Sequence, residues 1–492
     1  MHTRLLRPGT WIGVVLILAG AAFGEAADLS AAETPKIEND IAGTALASDS
    51  ATLSGMGLSR EMEKGQALTL EACVRIALDN NPAMRAVREG VSAAQEGVGE
   101  ANAPYYPELA LSAGYSRWER HAFLPSGLAR PGMPTVIGPT DDWVAGLKAR
   151  YTLFDSGARR ARLRAAISGK GVAEGDLARV RQDIALDVHQ SYYGLISALQ
   201  ALSVAEKNLV RAKDHLRIAG ERKAVGAVPR ADVVRAQTRA ADEKLNLVRA
   251  EHLVRMARGD LNTAMGLSAE MPIDVKIRGE TVQPFTEIDL AKVYDLAVRN
   301  RPEIRTALRR IEMAQHAVDG AKSAFGPKVR VEGGYGRQDE NFFPDDKDWM
   351  VGVVIELPIF TGFARTHRLG RTKAELLKEE AEVQRLIRNV RREVWSANSK
   401  LTESYEAIQA AAVLVKDAEE SVRLTQERYA AGAGTITELL DTQAALARAG
   451  AARVEAQWNY HIAKAAFDRS IGSLMAEEET AAVPMAIHCS EP

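Results

Sequence analysis

The sequence has few of the residues on which most catalytic, metal-binding and disulfide-rich proteins depend. Only two of its 492 residues are cysteine, Cys73 and Cys489, and they lack the spacing of a metal site. The nine histidines are scattered, and the motifs of zinc proteases, nucleophile-elbow hydrolases and phosphate-binding loops are absent. We therefore expect no enzyme, no catalytic residue, no bound metal and no cofactor.

The chain also lacks an excess of either charge and a long apolar run. Its 63 basic and 65 acidic residues give no indication of nucleic-acid binding. The apolar run from Trp11 to Ala22 follows two arginines and is too short to span a bilayer, so residues 1–26 are predicted to be a signal peptide. Export permits a disulfide between the two cysteines but does not decide whether it forms. Any membrane span of the mature chain must then consist of strands.

The main feature that is present is a long helical hairpin, which occurs twice. The copies cover about residues 157–266 and 363–472, and their turns lie near Gly226 and Gly432, 206 positions apart. Each outgoing arm has about 65 residues without proline, which corresponds to roughly 100 Å of continuous helix. Typical globular helices have about 11–12 residues, so an ordinary compact core does not explain these arms.

Apolar residues at intervals of seven run along both arms. In the first arm they are Val188, Leu195, Leu202, Leu209 and Leu216; in the second they are Ile387, Val394, Leu401, Ile408, Val415 and Val422. A sustained heptad specifies supercoiled contact with neighbouring helices. Further apolar residues widen this stripe, which favours two flanking helices over a solvated rod.

A second repeat precedes each hairpin. Short helices over 68–81 and 288–301 end before Pro82 and Pro302, as helices tend to do. Another helix follows each of them, and then alternating apolar and polar residues predict two strands per half. The strands are predicted at about 107–117, 142–154, 327–337 and 348–360. We divide the chain into a tail (27–66), a first repeat with a bridge (67–286), a second repeat (287–473) and a C-terminal tail (474–492).

The strands have the pattern of an outer-membrane barrel rather than of a soluble hairpin. They carry one apolar and one polar face, aromatic residues lie near their ends, and no amphipathic sheet is available to cover the apolar face. The strand connections, 118–142 and 338–348, are placed outside the cell. Four strands cannot close a barrel, and open edges in lipid are costly. Two, three or four chains would give eight, twelve or sixteen strands, and strand count allows each.

With these features the chain resembles the TolC-like outer-membrane factor family, whose members form the exit ducts of tripartite efflux pumps and type I secretion systems. The resemblance covers most of residues 68–472 and rests on the duplicated hairpin, the paired strands and two stretches at the turns. These stretches contain Gly226, Asp232, Val233, Ala236 and Gln237, and Tyr429, Gly432, Thr435, Glu438, Asp441 and Gln443.

The resemblance implies a mainly helical fold with membrane strands. Three chains would share a twelve-stranded barrel in the outer membrane of a Gram-negative bacterium, continued by a helical barrel in the periplasm. It also implies a periplasmic adaptor and an inner-membrane pump of the RND, ABC or MFS type as partners, besides outer-membrane lipid. It does not indicate the exported substrate or the particular adaptor and pump.

In the family, inward-coiled hairpins close the periplasmic entrance and acidic residues line it, and Glu438 and Asp441 match those acidic positions. Because they are three residues apart they share one helix face, and a threefold axis would make two carboxylate rings that attract cations. The spacing from Thr435 to Glu438 also fits a capping box, so helix capping alone remains an alternative for Glu438.

Two further residues match the family's closed entrance. Tyr429 corresponds to a tyrosine that bonds an acidic residue of a neighbouring hairpin, and Asp232 corresponds to that acid. Gly434 departs from the family pattern, because an arginine that reinforces the closed tip is absent there. We expect a less tightly closed tip, and we expect Tyr429→Phe combined with Asp232→Ala to raise channel conductance.

The turns themselves invite two interpretations. Gly226 and Gly432 tolerate the positive φ of a helix reversal, which explains them without any partner. The resemblance adds that the tips, with Val228 and Thr435, bind a periplasmic adaptor. The alternative for the whole chain is a periplasmic coiled-coil adaptor or scaffold without a pore, which would not need two pairs of alternating strands.

Overall fold

A computed structural model describes residues 67–121, 136–277 and 289–475. The predicted signal peptide (1–26) and N-terminal tail (27–66) lie outside the described residues. So do most of the C-terminal tail, the end of the bridge and the central part of the first strand connection. The division of the chain into repeats therefore stays a prediction.

The described helices follow the predicted order in each half. They are α1 (Leu70–Asn80), α2 (Pro82–Asn102), α3 (Ala158–Ala224), α4 (Arg230–Ala264), α5 (Leu290–Asn300), α6 (Pro302–Ser323), α7 (Ala364–Ala430) and α8 (Ile436–Ile471). The long arms α3 and α7 have 67 residues each, which corresponds to about 100 Å of helix. The prediction of a duplicated long hairpin is confirmed. No helix in the described ranges is long and apolar enough to cross a membrane.

The heptad positions of the long arms face neighbouring helices. Val188 and Leu195 of α3 are almost fully buried, as is Val394 of α7. The α3 helix packs against α2 and α4 and also against α6 and α8, while α7 packs against α6 and α8. Each long arm thus has more than one flanking helix, as the wide apolar stripe predicted.

The four strands form one antiparallel sheet in the order β1–β2–β3–β4. They are β1 (Glu108–His121), β2 (Val136–Phe154), β3 (Lys328–Asp339) and β4 (Asp346–Glu356). The strand β1 extends beyond its predicted end because a bulge between Trp118 and Arg120 interrupts the alternation that marks a strand. The strand β4 ends earlier than predicted, before Pro358, whose missing N–H cannot join the ladder.

The strand register places the apolar residues of the sheet on one face. Leu111 pairs with Leu147, Leu147 with Tyr335, and Tyr335 with Trp349, and directly paired residues point to the same side. On β4 this face is uncovered within the chain: Val351 is 74% and Ile355 71% exposed. The strands β1 and β4 each have one edge without a pairing strand in the described chain.

The two strand-to-helix junctions are built alike. Arg159, in the first turn of α3, lies over the ring of Tyr105 and donates a hydrogen bond to the carbonyl of Pro104. Arg365, in the first turn of α7, does the same with Phe325 and the carbonyl of Ala324. The aromatic residues predicted at the strand ends therefore fix the strands to the long helices by packing and cation–π contact.

Candidate functional site

The two hairpin tips have the same backbone. The residues at the reversals, Gly226 and Gly432, have φ of +73° and +74°. At each tip the glycine N–H bonds the carbonyl three residues earlier and the next N–H bonds the carbonyl five residues earlier. This is the Schellman arrangement that ends a helix with a left-handed glycine. A Cβ at either glycine would meet nothing within 4 Å, so the backbone conformation, not crowding, requires glycine.

The second tip packs against the first hairpin through a small apolar cluster, here called the tip cluster. Its buried members are Ala219, Ala236, Tyr429, Ile436 and Leu439. The ring of Tyr429 also lies 4.6 Å from the guanidinium carbon of Arg222, and Arg222 Nη1 donates to the Tyr429 carbonyl at 3.3 Å. Tyr429 therefore joins the two hairpins of one chain by burial and by a cation–π contact.

The hydrogen bond expected between Tyr429 and Asp232 is not formed within the described chain. The Tyr429 hydroxyl is buried and has no hydrogen-bond partner among the described residues. Asp232 instead accepts from Arg235 at 3.3 Å, and its side chain is only 15% exposed. The two residues lie on neighbouring hairpins as predicted, but the apolar cluster rather than a polar bond holds the tyrosine.

The predicted entrance carboxylates lie on the exposed side of α8. Thr435 caps this helix, and its Oγ1 accepts a hydrogen bond from the Glu438 N–H at 3.2 Å. Glu438 approaches Arg428 at 3.9 Å with both side chains well exposed, so this pair adds little stability. Asp441 is exposed and has no ion-pair or hydrogen-bond partner within the described ranges. Glu438 thus belongs to the first turn of a helix, and Asp441 is exposed without a partner in the described ranges.

The predicted docking residues are accessible at both tips. Gly226, Gly432 and Thr435 are exposed, and Val228 is half-buried. Val225, just before the first turn, is 80% exposed. Beside the second turn Gly434 is tight, because a Cβ there would lie 3.2 Å from the Tyr429 backbone nitrogen. An arginine at position 434 would crowd the Tyr429 backbone. The departure from the family pattern therefore falls at a sterically tight position.

Sequence reasoning missed a partly buried ionic cluster far from the tips, in which the arginines and Glu303 are buried and the other two acids reach solvent. Arg469 of α8 donates to Asp183 of α3 and to Glu303 of α6, both at 2.6 Å. Arg301, at the junction of α5 and α6, pairs with Glu303 at 3.3 Å and with Glu393 of α7 at 2.6 Å. These five residues, here called the junction ion cluster, connect four helices. Their positions in the sequence are up to 286 residues apart, so no local pattern marks them.

Burial and charge act in opposite directions on the acid at the centre of this cluster. Burial alone would raise the pKa of Glu303, but the hydrogen bond and charge of Arg469 and the charge of Arg301 bring it below its ordinary value. The matching junction in the first half is neutral. There Asn81 donates to the Ala264 carbonyl at 3.1 Å, in place of the arginine pair.

These features can now be compared with known proteins. The model of the outer membrane efflux protein family matches residues 73–267 and 293–473. The chain belongs to this family. The two matched segments correspond to the two halves of the structure, each with its short helices, strand pair and long hairpin.

Similar curated proteins include outer-membrane proteins, one of which is named for export. The chain is 30% identical over 381 residues to Protein CyaE of Bordetella pertussis, with 76% of this chain and 78% of that protein covered. It is 26% identical to the pyoverdine export outer membrane protein OpmQ of Pseudomonas aeruginosa, covering 78% and 81%. The outer membrane protein TolC of Escherichia coli K12 is 24% identical, with 86% of each covered.

Solved structures support the fold. The outer membrane protein VceC of Vibrio cholerae superposes with a TM-score of 0.70 at 20% identity, covering 82% of this chain and 96% of that one. Members of the family are passive channels of the Gram-negative outer membrane, not enzymes. In the described ranges no group of three or more candidate ligands could hold a metal ion. Membership of this family directs the question of function to the geometry of a passage.

Proposed function

We propose that three copies of this chain form a channel through the outer membrane, extended by a helical tunnel, that serves as the exit duct of a tripartite efflux pump or a type I secretion system. The observation that carries the proposal is the four-stranded sheet with one uncovered apolar face and two open edges. Such a sheet is stable in lipid only when further strands close it. Three chains would close it as a twelve-stranded barrel.

The proposed control point is the second hairpin tip. Glu438 and Asp441 lie three residues apart on the exposed part of α8, and a threefold axis would repeat them as two rings of negative charge. Tyr429 and Asp232 are proposed to hold this tip in place, the first through the tip cluster and the second through its pair with Arg235. Engagement of partners would separate these contacts and widen the entrance.

The proposed partners are a periplasmic adaptor, which binds the exposed tips near Gly226, Val228, Gly432 and Thr435, and an inner-membrane pump. The exposure of Gly226, Gly432 and Thr435 leaves this end of the chain accessible to another protein. The relatives include one named for pyoverdine export. That substrate belongs to the relative, and we propose none for this chain.

A periplasmic scaffold without a pore is the competing function. The experiment is to purify the full chain from outer membranes in detergent and to reconstitute it in planar bilayers. The channel predicts a heat-dissociable oligomer and single-channel ion conductance. A water-soluble monomer in the periplasmic extract, without conductance, would contradict it.

A further inference from the structure

The seam between β2 and β3 joins the two halves of the chain, and at one position two glycines face each other across it. Gly146 of β2 pairs with Gly336 of β3, and the register continues without a bulge on both sides of this pair. Both glycines belong to the polar face of the sheet, because their neighbours Leu147 and Tyr335 lie on the apolar face and successive residues of a strand alternate. A side chain at either position would therefore point to the polar side.

The two strands approach each other too closely at this pair to leave room for a side chain. A Cβ on Gly146 would lie 2.9 Å from Gly336 Cα. A Cβ on Gly336 would lie 2.6 Å from the Ala145 carbonyl oxygen and 2.9 Å from Gly146 Cα. Real Cβ atoms essentially never make contacts shorter than 3.0 Å. Because the obstructing atoms belong to the backbone, a methyl group here would have to push the strands apart.

The other glycines of the central sheet are not crowded in this way. On the same polar face, a Cβ on Gly114 or Gly352 would meet no atom of the described residues within 4 Å, and one on Gly334 would make an ordinary contact at 3.7 Å. On the apolar face, a Cβ on Gly333 would have its nearest neighbour at 3.6 Å. The close approach is therefore a property of the Gly146–Gly336 pair and not of glycine in these strands generally.

The duplication of the chain does not account for the pair. The first strands of the two halves are offset by 220 positions and the second strands by 206, so Gly146 corresponds to Gly352 and Gly336 corresponds to Ser116. Gly352 faces Glu332 rather than another glycine. Within the described sheet, two glycines thus face each other only at the seam where the halves meet.

The polar face of the sheet is hollow around this pair. A cavity of about 390 Å³ lies there and is lined by residues of all four strands, among them Ala110, Gly146, Lys148, Glu332, Gly336 and Met350. Sheets bend sharply where glycine lets two backbones approach on one face. The cavity and the close approach both indicate a sheet that bends toward its polar face along the β2–β3 seam.

Polar contacts cross the same seam on the polar face, one on each side of the glycine pair. Arg150 of β2 pairs with Glu332 of β3 at 3.4 Å. On the other side, Gln338 Nε2 of β3 donates to Asp142 Oδ1 of β2 at 2.8 Å. Contacts on this face hold the strands together on the side toward which the glycine pair bends them.

We propose that Gly146 and Gly336 form a crease that bends the sheet of each chain toward its polar face and supplies curvature that barrel closure requires. This inference rests on the channel proposed above and names positioning residues for its membrane part. Closing a sheet on itself needs curvature as well as a matching strand number and tilt. Two backbones in contact bend more sharply than two backbones held apart by side chains, so each chain contributes one crease at the joint between its halves.

The test uses Gly146→Ala and Gly336→Ala in the full-length chain, purified from outer membranes in detergent. Each variant is expected to lose heat-dissociable oligomer and single-channel conductance, because the added methyl group flattens the seam. Gly336→Ala should show the greater loss, since its Cβ makes two contacts shorter than 3.0 Å and that of Gly146 makes one. Far-UV circular dichroism should stay at the wild-type value, because the long helices lie outside the sheet.

Matched variants make the result specific to the crease. Gly352→Ala is the same change at the repeat counterpart of Gly146, and Gly334→Ala is the same change on the strand and face of Gly336. Both are expected to keep the oligomer and the conductance of wild type. Equal behaviour of all four variants, whether assembled or dissociated, would overturn the crease. Loss of the helical signal in the two crease variants would also overturn it, because the pair would then serve the folding of the whole chain.

A double variant tests whether the two glycines act as a unit. Once one methyl group has moved the strands to the ordinary separation of a pleated pair, a second methyl group fits opposite it. Gly146→Ala combined with Gly336→Ala should therefore lower the dissociation temperature of the oligomer by less than the sum of the single changes. Additive shifts would indicate independent sites and overturn the crease. A wild-type monomer without conductance would instead contradict the channel itself, and this is measured before any variant is compared.

Discussion

The two hairpin tips have the same backbone conformation but different side chains around the turn. Gly226 and Gly432 reverse the chain with the same φ and the same hydrogen bonds. Position by position, however, Tyr429 of the second tip corresponds to Lys223 of the first, and Asp441 corresponds to Arg235. In the first tip the arginine neutralises Asp232. In the second, the equivalent spacing holds two acids, Glu438 and Asp441.

This difference shows how a duplicated fold can keep its backbone and change its side chains. Glycine and the helix-ending hydrogen bonds preserve the reversal in both copies, so the turn carries no information about function. The side chains around the turns differ in charge: residues 221–235 of the first tip carry four basic and two acidic side chains, whereas the corresponding residues 427–441 of the second carry one basic and three acidic ones. The junctions near the short helices diverge in the same way, with a neutral Asn81 in one half and the paired arginines Arg301 and Arg469 in the other.

The largest expected effect is at the junctions near the short helices, where the two halves of the chain differ. Arg469→Ala removes the shared partner of Asp183 and Glu303. Each acid keeps a second arginine, Arg179 and Arg301 respectively, so the loss is expected near the lower end of the about 3–5 kcal/mol that breaking a buried ion pair costs. The matched change in the first half, Thr263→Ala, removes an exposed hydroxyl and should cost under about 0.5 kcal/mol. Denaturant unfolding of the detergent-solubilised protein measures both. Similar losses for the two variants would contradict the asymmetry.

The same cluster predicts a dependence on pH. The pKa of Glu303 is below its ordinary value of 4.5 in the folded chain, so the stabilisation is present above pH 4.5 and is lost as the pH falls through the folded-state pKa. Melting temperatures measured from pH 7 down to pH 3 should fall more steeply below 4.5 in wild type than in Glu303→Gln. Parallel curves would exclude Glu303 as the responsible group.

A somewhat smaller effect is expected at the tip cluster. Tyr429→Ala removes a buried ring and its contact with Arg222, at a cost of about 3 kcal/mol, and should raise single-channel conductance by loosening the second tip. Lys223→Ala, at the corresponding exposed position, should leave conductance unchanged. Tyr429→Phe should also resemble wild type, because the hydroxyl has no partner in the described chain. A gain of conductance in Tyr429→Phe would instead favour the expected bond to Asp232.

The smallest effect is expected at the turn glycines, which the two tips have in common. Gly226→Ala and Gly432→Ala each force a Cβ into the left-handed region, at a cost of about 1 kcal/mol. Because a Cβ meets nothing within 4 Å at either site, the two variants should lose equal stability in thermal unfolding. Unequal losses would show that one turn is crowded in the assembled protein.

Much of the fold could be predicted because its determinants are local or repeated. The heptads specified the long helices, alternation specified the strands, and the constant shift aligned the two halves. The strand ends were less accurate, since the bulge near Trp118 hides the continuation of β1. Thr435 was identified as a cap from its spacing to Glu438, and the structure contains that hydrogen bond.

The interactions that could not be predicted join distant residues. The contact of Arg222 with Tyr429 spans 207 positions and that of Arg469 with Asp183 spans 286. Nothing in the local sequence pattern distinguishes Arg222 and Arg469 from the many arginines that are exposed to solvent. Asp232 pairs with Arg235 rather than with Tyr429, because the second tip packs on the first hairpin with the Tyr429 ring inside the tip cluster.

We propose that passage is controlled at the second tip, where Asp441 has no partner among the described residues and Glu438 only approaches Arg428 at 3.9 Å, and not at the first, where Arg235 pairs with Asp232. Reversal potentials across a salt gradient in planar bilayers test this most directly. Cation preference should fall in Glu438→Gln combined with Asp441→Asn and stay at the wild-type value in Asp232→Asn, whose carboxylate is already balanced by Arg235. An unchanged reversal potential in the double variant, or an equal loss in Asp232→Asn, would contradict the account.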